Sequence, residues 1–400
     1  MSQQGKGRIA ARLLDDDHSD EVLGAVTVLT GARWAANATL RFSGPFIAII
    51  GRGLGVSLGD MGVALSVGEL SGVTAPAVGR AVDRQPRRRA MVAGLAMVAT
   101  AAALAAASPN VAVFAVAFTM ICVGKIVFDS AMGAWIADRV AYERRSQITG
   151  FTETSWALAM LVAVPLLGIV TAVSSWRVAF AIMAIVGAQC SWLVHRHIAD
   201  APARVAHRSE GRSVKAMLRV GWPVYIGFGV LMTAANCVFV VFGAWFQDSF
   251  GMSTVQVAVT ATTLGLAELM ASLGSMRFTD RVGKRRSVVF GAAVMAPVGC
   301  ALGFADHSVV AGIVLIAVYF LAFEYAIVSG IPLIGEIMPT ARASSIGLAV
   351  GLGTVGRGIS AIVATRAYDE WGIVAPGLMA AGCATTVVLL YGFGARRLHQ

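Results

Sequence analysis

Gly79-Arg80-Ala81-Val82-Asp83-Arg84-Gln85-Pro86-Arg87-Arg88-Arg89 returns 197 residues later as Met276-Arg277-Phe278-Thr279-Asp280-Arg281-Val282-Gly283-Lys284-Arg285-Arg286. In both copies an Asp-Arg pair is followed, two residues on, by three consecutive basic residues. A second landmark keeps the spacing. Ala137-Asp138-Arg139, with Arg145 and Gly150 beyond it, corresponds to Gly335-Glu336-Ile337, with Arg342 and Gly347. Two landmarks holding one offset identify a chain made of two repeated halves.

The copies sit between long uncharged runs such as Met91 to Ala107 and Ser287 to Ala305. Only 14% of the 400 residues are charged and 57% are hydrophobic, against roughly 25% charged in a soluble domain. Crossing the hydrocarbon core takes roughly 20 mostly apolar residues. On that basis about twelve spans are predicted, near 28–51, 58–79, 90–108, 111–137, 148–172, 177–195, 219–246, 254–276, 287–305, 308–337, 343–366 and 373–393. Six crossings per half return the chain to its starting side, so the repeat is parallel. The expected fold is an all-α polytopic membrane protein of two six-helix bundles related by a pseudo-two-fold axis along the membrane normal. Its parts are a cytoplasmic tail at 1–24, bundles at 25–195 and 219–393, a cytoplasmic linker at 196–218 and a tail at 394–400. Abundant Gly and Ala suit helices packed closely in lipid.

The net charge of +10 raises the question of nucleic acid. Its distribution answers it, because 25 of the 32 Lys and Arg fall in the termini and the even-numbered loops. Only Arg52, Arg177 and Arg366 lie in odd-numbered loops. This is the positive-inside bias, which puts both termini in the cytoplasm of a bacterial-type inner membrane and the basic loops against anionic lipid headgroups. No nucleic-acid partner is expected. The polar leader, with its run Asp15, Asp16, Asp17, lacks a cleavable signal and reads as a disordered cytoplasmic segment. Val214 to Val220 reads as a short amphipathic helix on the leaflet surface.

Cys122, Cys190, Cys237, Cys300 and Cys383 all fall in spans without metal-like or CxxC spacing, and read as packing residues. No histidine lies in mid-span, so any intramembrane proton chemistry falls to carboxylates. The sequence lacks a phosphate-binding Gly-rich loop with Lys-Ser/Thr, an HExxH and a GxSxG. No enzyme activity, catalytic residue, cofactor or metal is expected, and uphill transport would draw on an ion gradient. Nothing in the sequence requires more than a monomer.

Gly79, Asp83, Arg84 and Arg87 to Arg89 resemble the loop signature of the major facilitator superfamily, between its second and third helices. Asp280, Arg281, Gly283 and Lys284 to Arg286 resemble its weaker second copy. Ser175-Trp176-Arg177 and Pro339-x-x-Arg342 also resemble family features. Pro86 and Met276 stand where the family carries glycine. The resemblance implies that spans 1, 4, 7 and 10 line a cavity and that 2, 5, 8 and 11 join the halves. It also implies that Asp83, Arg84, Arg88, Asp280 and Arg281 gate the cytoplasmic side as a charge latch. Pro165 and Gly168 in span 5 resemble a reduced form of the glycine-rich segment of the family's exporters. Gly351, Gly353 and Gly356 in span 11 read as a packing stripe.

Ionisable groups inside a bilayer are costly and face a cavity or a partner. Here they are Arg33 and Arg41 (span 1), Glu69 (2), Lys125 and Asp129 (4), Glu153 (5), Glu268 (8), Glu324 (10) and Arg357 (11). None falls in spans 3, 6, 9 or 12, the family's peripheral helices. Lys125 and Asp129, four apart, share a helix face. Glu324 and Arg357 lie at nearly the same depth by helical rise. The sequence therefore predicts an N-half cluster of Arg41, Glu69, Lys125, Asp129 and Glu153, and a C-half pair of Glu324 and Arg357. Glu268 either snorkels or faces the seam between the halves.

Each pair admits two readings, a structural tie between helices or a site for substrate and proton. The leading expectation is secondary active transport, proton-coupled export of a small organic or drug-like molecule by alternating access. The alternatives are a lipid or glycolipid translocator, with Arg41 and Arg357 on an anionic headgroup, and a non-transporting sensor or assembly protein on the same fold.

Overall fold

A computed structural model describes residues 20–140, 145–199, 214–338 and 342–393. Residues 1–19 of the leader, most of the linker, the C-terminal tail and Pro339 lie outside the described residues, as does the side chain of Asp83. Among the described residues the chain is helical and has no strand.

In chain order the N-terminal half contains α1 (Asp20–Arg41), α2 (Ile47–Leu54), α3 (Leu58–Leu70), α4 (Ala75–Asp83), α5 (Arg87–Ala106), α6 (Val111–Arg139), α7 (Arg145–Leu158), α8 (Val164–Val173) and α9 (Trp176–His197). The C-terminal half contains α10 (Val214–Phe239), α11 (Phe242–Phe250), α12 (Thr254–Val282), α13 (Lys284–Leu302), α14 (Val309–Ile337), α15 (Arg342–Trp371) and α16 (Val374–Gly392).

Ten of the described helical segments are long and apolar enough to cross a membrane. The spans predicted at 28–51 and 58–79 are absent from these ten, since each is divided into helices too short or too polar to cross alone. The first stops at Arg41, and the chain turns through Phe42 to Phe46 before α2 begins. Pro45 has no N–H to give a continuing helix, and α1 carries Arg33 and Arg41 in its apolar run. The second narrows to a 3-10 turn at Ser71–Thr74, followed by Pro76. Span 7 is divided in the same register, at Val240 and Val241 between α10 and α11.

The repeat is visible in the turns themselves. Gly55 (φ 70°) and Gly251 (φ 61°) end the short helices α2 and α11 in the left-handed conformation that glycine accepts without strain. Each is followed by a capping box, Ser57 with Asp60 and Ser253 with Gln256. Asn110 and Ser308 then cap the next corresponding pair, α6 and α14.

The halves meet along two seams. The α3 helix packs on α15, and α7 with α8 packs on α12. Small residues make both contacts close. The Thr365 side chain and the Ala361 carbonyl crowd Gly62, and the Leu161 backbone crowds Gly265, so that neither glycine has room for a methyl group. Opposite Gly265, the helix between α7 and α8 widens into a π turn at Ala159–Ala163, just before Pro165. The α5, α9, α13 and α16 helices pack chiefly within their own halves.

The two ends of the molecule differ. At the end carrying loops 83–89 and 280–286, called here the basic end, the seams part. At the opposite end the broken spans cross, with the Pro45 carbonyl against Gly243 and Phe239 against Gly44. Phe42, Phe46, Phe242 and Trp245 are fully buried there in one continuous apolar core.

Candidate functional site

Between the two seams lies a cavity of about 590 Å³, walled by α1, α3, α6 and α7 of one half and α10, α12, α14 and α15 of the other. Thr149, Gly150, Ile331 and Pro332 form its exposed margin towards the basic end. The buried aromatic plug closes the other end. Most of the wall is apolar, with Phe118, Phe228, Phe239, Phe320 and Phe323 among its rings. Such a volume with a few placed polar groups is typical of a small-molecule site.

Arg41, the last residue of α1, reaches across the seam to Glu268 on α12. Its two terminal nitrogens lie 2.7 and 2.5 Å from the two carboxylate oxygens. The same guanidinium donates to the Trp156 carbonyl at 3.0 Å and lies 4.4 Å from the centre of the Trp156 ring. Both partners are almost fully buried. The break after Arg41 explains the reach, because ending the helix there frees the side chain to extend into the interface. Bidentate geometry makes this the strongest kind of ion pair.

On the other seam Arg357 of α15 pairs with Glu69 of α3. Asn236 of α10 donates to the Arg357 carbonyl at 2.9 Å and to Ser360 at 3.0 Å, fixing that stretch of α15 to its own half. A third group is confined to the N half. Lys125 and Asp129 pair along one face of α6, and Asp129 also accepts from Arg33 at 3.3 Å. A terminal nitrogen of Arg33 lies 2.8 Å from Glu153.

The expected N-half cluster is thus divided. Lys125, Asp129 and Glu153 come together around Arg33, whereas Arg41 and Glu69 each pair with the other half. The expected C-half pair does not form. Equal depth places Glu324 and Arg357 at one level, but α15 turns Arg357 towards α3, packing Gly358 against Leu70. Glu268 does not snorkel; it is 1% exposed in the seam. Arg33 and Glu268 are the members that sequence reasoning left out. Their signal was the charge itself, since each is an ionisable residue in an otherwise apolar helix.

Glu324 stands apart. It is 7% exposed and lines the cavity on α14, with one hydrogen bond, from the Ser272 hydroxyl at 3.4 Å. Among the described residues no Lys, Arg or His forms an ion pair with it.

At the basic end the repeat recurs as chemistry. Arg87, 3% exposed, pairs with Asp138 at 3.2 Å and donates to the Val82 carbonyl at 3.2 Å. Lys284 pairs with Glu336 at the corresponding positions. Each pair ties the start of one helix to the end of the next within a half. Arg84, Asp280 and Arg281 stand exposed, Arg88 is half-buried and Arg87 is buried.

The sequence matches the family model of the Major Facilitator Superfamily over residues 28–365. The chain belongs to the Major Facilitator Superfamily. An uncharacterized MFS-type transporter of Bacillus subtilis (strain 168), YwfA, is 23% identical over 269 residues, covering 64% of this chain. The match spans 62% of that relative, under two thirds of its length.

Solved structures of the superfamily's fold overlay nearly the whole chain. A bacterial homolog of the human lysosomal transporter Spinster, in an inward-facing, unoccupied conformation, aligns with TM-score 0.73 at 12% identity, covering 92% of this chain and 96% of that one. The D-xylose-proton symporter aligns with TM-score 0.73 at 16% identity, covering 90% and 95%. The human organic anion transporter MFSD10 (TETRAN) aligns with TM-score 0.67 at 16% identity, covering 92% and 98%. At these identities the likeness is one of fold.

Proposed function

We propose that this superfamily member is a secondary active transporter that exports a small organic molecule in exchange for protons, by alternating access. The observation that carries the reading is the central cavity. It is walled by both halves, open at one end, and crossed at its edges by ion pairs between the halves. Rocking one bundle against the other would close the basic end and part the aromatic plug. Through the positive-inside bias the basic end faces the cytoplasm, so the cavity is open inwards. The loops holding Asp83, Arg84, Arg88, Asp280 and Arg281 lie where the two bundles would meet on closing, which suits a latch.

Glu324 is the carboxyl best placed to exchange a proton. Among the described residues it has no cationic ion-pair partner, and the open cavity gives it access to water. A lipid-translocating reading loses its motive, because the guanidiniums of Arg41 and Arg357 already hold carboxylates.

The test is proton flux in proteoliposomes with a trapped pH dye, across a panel of organic cations, sugars, organic acids, amino acids and lysolipids. A substrate-triggered pH change that is lost in Glu324→Gln is the expected result. Silence across the panel in folded protein removes the proton-coupled reading.

A further inference from the structure

Asn236 lines the cavity from α10, one turn before the break at Val240 and Val241, and is 7% exposed. Its side-chain nitrogen donates twice, to the Arg357 carbonyl at 2.9 Å and to the Ser360 hydroxyl oxygen at 3.0 Å. Ser360 gives its own proton to that same carbonyl at 2.9 Å. Both partners can therefore only accept from the amide. This fixes its orientation, with the nitrogen turned to α15 and the Oδ1 atom turned away from it. Among the described residues that oxygen accepts no hydrogen bond.

The first half repeats the clamp without the opening. Asn37 of α1 donates to the Ser155 hydroxyl of α7 at 3.1 Å, as Asn236 of α10 does to Ser360 of α15. Asn37 is fully buried and its oxygen is shut away from the cavity, whereas Asn236 stands in the cavity wall. One amide ties two helices together. The other does so and also presents an acceptor.

The surroundings of Asn236 define what would use that acceptor. Met232 and Phe239, four residues before it and three after it on the same face of α10, line the cavity beside it. The nearest charged groups in the wall, Arg357 and Glu69, are committed to each other. In so apolar a wall, a carbonyl oxygen that loses water to a ligand and gains no donor is costly. A ligand with an N–H or O–H at that point satisfies the oxygen, and one with a methyl group there strands it.

We propose that the Asn236 Oδ1 atom is a fixed acceptor for an N–H or O–H group of the substrate, and that it selects apolar-bodied molecules carrying such a donor over their alkylated counterparts. This deepens the transporter reading and rests on it for the role of the cavity, but binding itself requires no transport. Asn236 is then a specificity-determining residue, and its two donated bonds are what hold the acceptor in place.

The experiment is equilibrium binding to the purified full chain in nanodiscs, with pairs of probes that differ by one methyl group on the donor. The pairs are theophylline and caffeine, 7-hydroxycoumarin and 7-methoxycoumarin, and 3-acetylindole and 1-methyl-3-acetylindole, each neutral at the pH used. At least one donor compound is expected to bind about fivefold or more tightly than its methylated partner. That ratio should fall to within about twofold of unity in Asn236→Leu, or in Asn236→Ala should the leucine variant not fold. Ser360→Ala, which loosens the clamp and leaves the oxygen, should keep the preference and so separates contact from a structural effect. No preference in any pair overturns the proposal. So does a preference that Asn236→Leu keeps, or one that Ser360→Ala abolishes as fully as Asn236→Leu does. A preference lost in Asn236→Leu, with no flux of any probe into liposomes, keeps the acceptor and removes the transport reading. Equal flux and equal affinity for both members of every pair keep transport and remove the acceptor.

Discussion

Glu69 and Arg357, 288 residues apart in the chain, form an ion pair across the boundary between the two halves. The pair lies on the seam of α3 and α15, whose backbones approach closely at Gly62. Arg41 and Glu268 do the same on the other seam, 227 residues apart. The cavity is therefore bracketed by one charge tie on each side. A bundle that rocks must keep, strain or exchange those ties.

Neutralising one member of the Glu69–Arg357 pair leaves its partner's charge in a largely buried seam. The expected loss lies at the lower end of the roughly 3–5 kcal/mol for a broken buried pair, because the side chains are still 11% and 17% exposed. Glu69→Gln and Arg357→Gln should each lower the thermal midpoint of the purified protein. The double variant should recover much of the loss, as expected of contacting residues in a double-mutant cycle. Additive losses would mean that the two residues act independently.

Arg41 is expected to tolerate no replacement by lysine. Its guanidinium makes two parallel bonds to Glu268 and one to the Trp156 carbonyl while lying over the Trp156 ring. An ammonium cannot span both carboxylate oxygens in that plane. Arg41→Lys should insert and express, yet lose at least about tenfold in substrate-driven flux, equivalent to roughly 1.4 kcal/mol. Wild-type flux from Arg41→Lys would reduce Arg41 to a point charge.

The two loop pairs are related by the repeat but not equal in burial. Arg87 is 3% exposed against Asp138, whereas Lys284 and Glu336 are 29% and 49% exposed. Removing the exposed pair should cost about 1 kcal/mol or less, and Arg87→Ala should cost about 3 kcal/mol by stranding Asp138 and baring the Val82 carbonyl. Thermal melts of Arg87→Ala and Lys284→Ala in the same detergent compare them directly. Equal losses would show that burial does not set the difference.

Ten of the spans, the parallel repeat and the sorting of mid-span charge away from α5, α9, α13 and α16 were legible, because hydropathy and offset are properties of the sequence itself. The list of charged residues was legible too, apart from the weight given to Arg33 and Glu268. Pairing was not. Depth along a helix follows from counting residues, but azimuth depends on which neighbour the helix packs against. Glu324 and Arg357 share a level and face different partners for that reason. The breaks at Phe42–Phe46 and at Ser71–Thr74 were hidden inside apolar runs that average as continuous spans. Only Pro45 and Pro76 hinted at them, and a proline in a membrane helix does not by itself end it.

Gly243 controls how closely the broken spans cross at the opposite end. A methyl group there would collide with the Pro45 carbonyl, which is backbone and cannot rotate away. Gly243→Ala should therefore disfavour the closed plug by the roughly 1–3 kcal/mol of an overpacked contact. The population open at the basic end should then fall by a factor of about five or more. Thr149 marks that margin of the cavity and is exposed. In a background without the native cysteines, Thr149→Cys should react with a water-soluble maleimide, and adding Gly243→Ala should slow the reaction by a similar factor. A lowered thermal midpoint with an unchanged labelling rate would make Gly243 a packing residue with no part in the equilibrium between states.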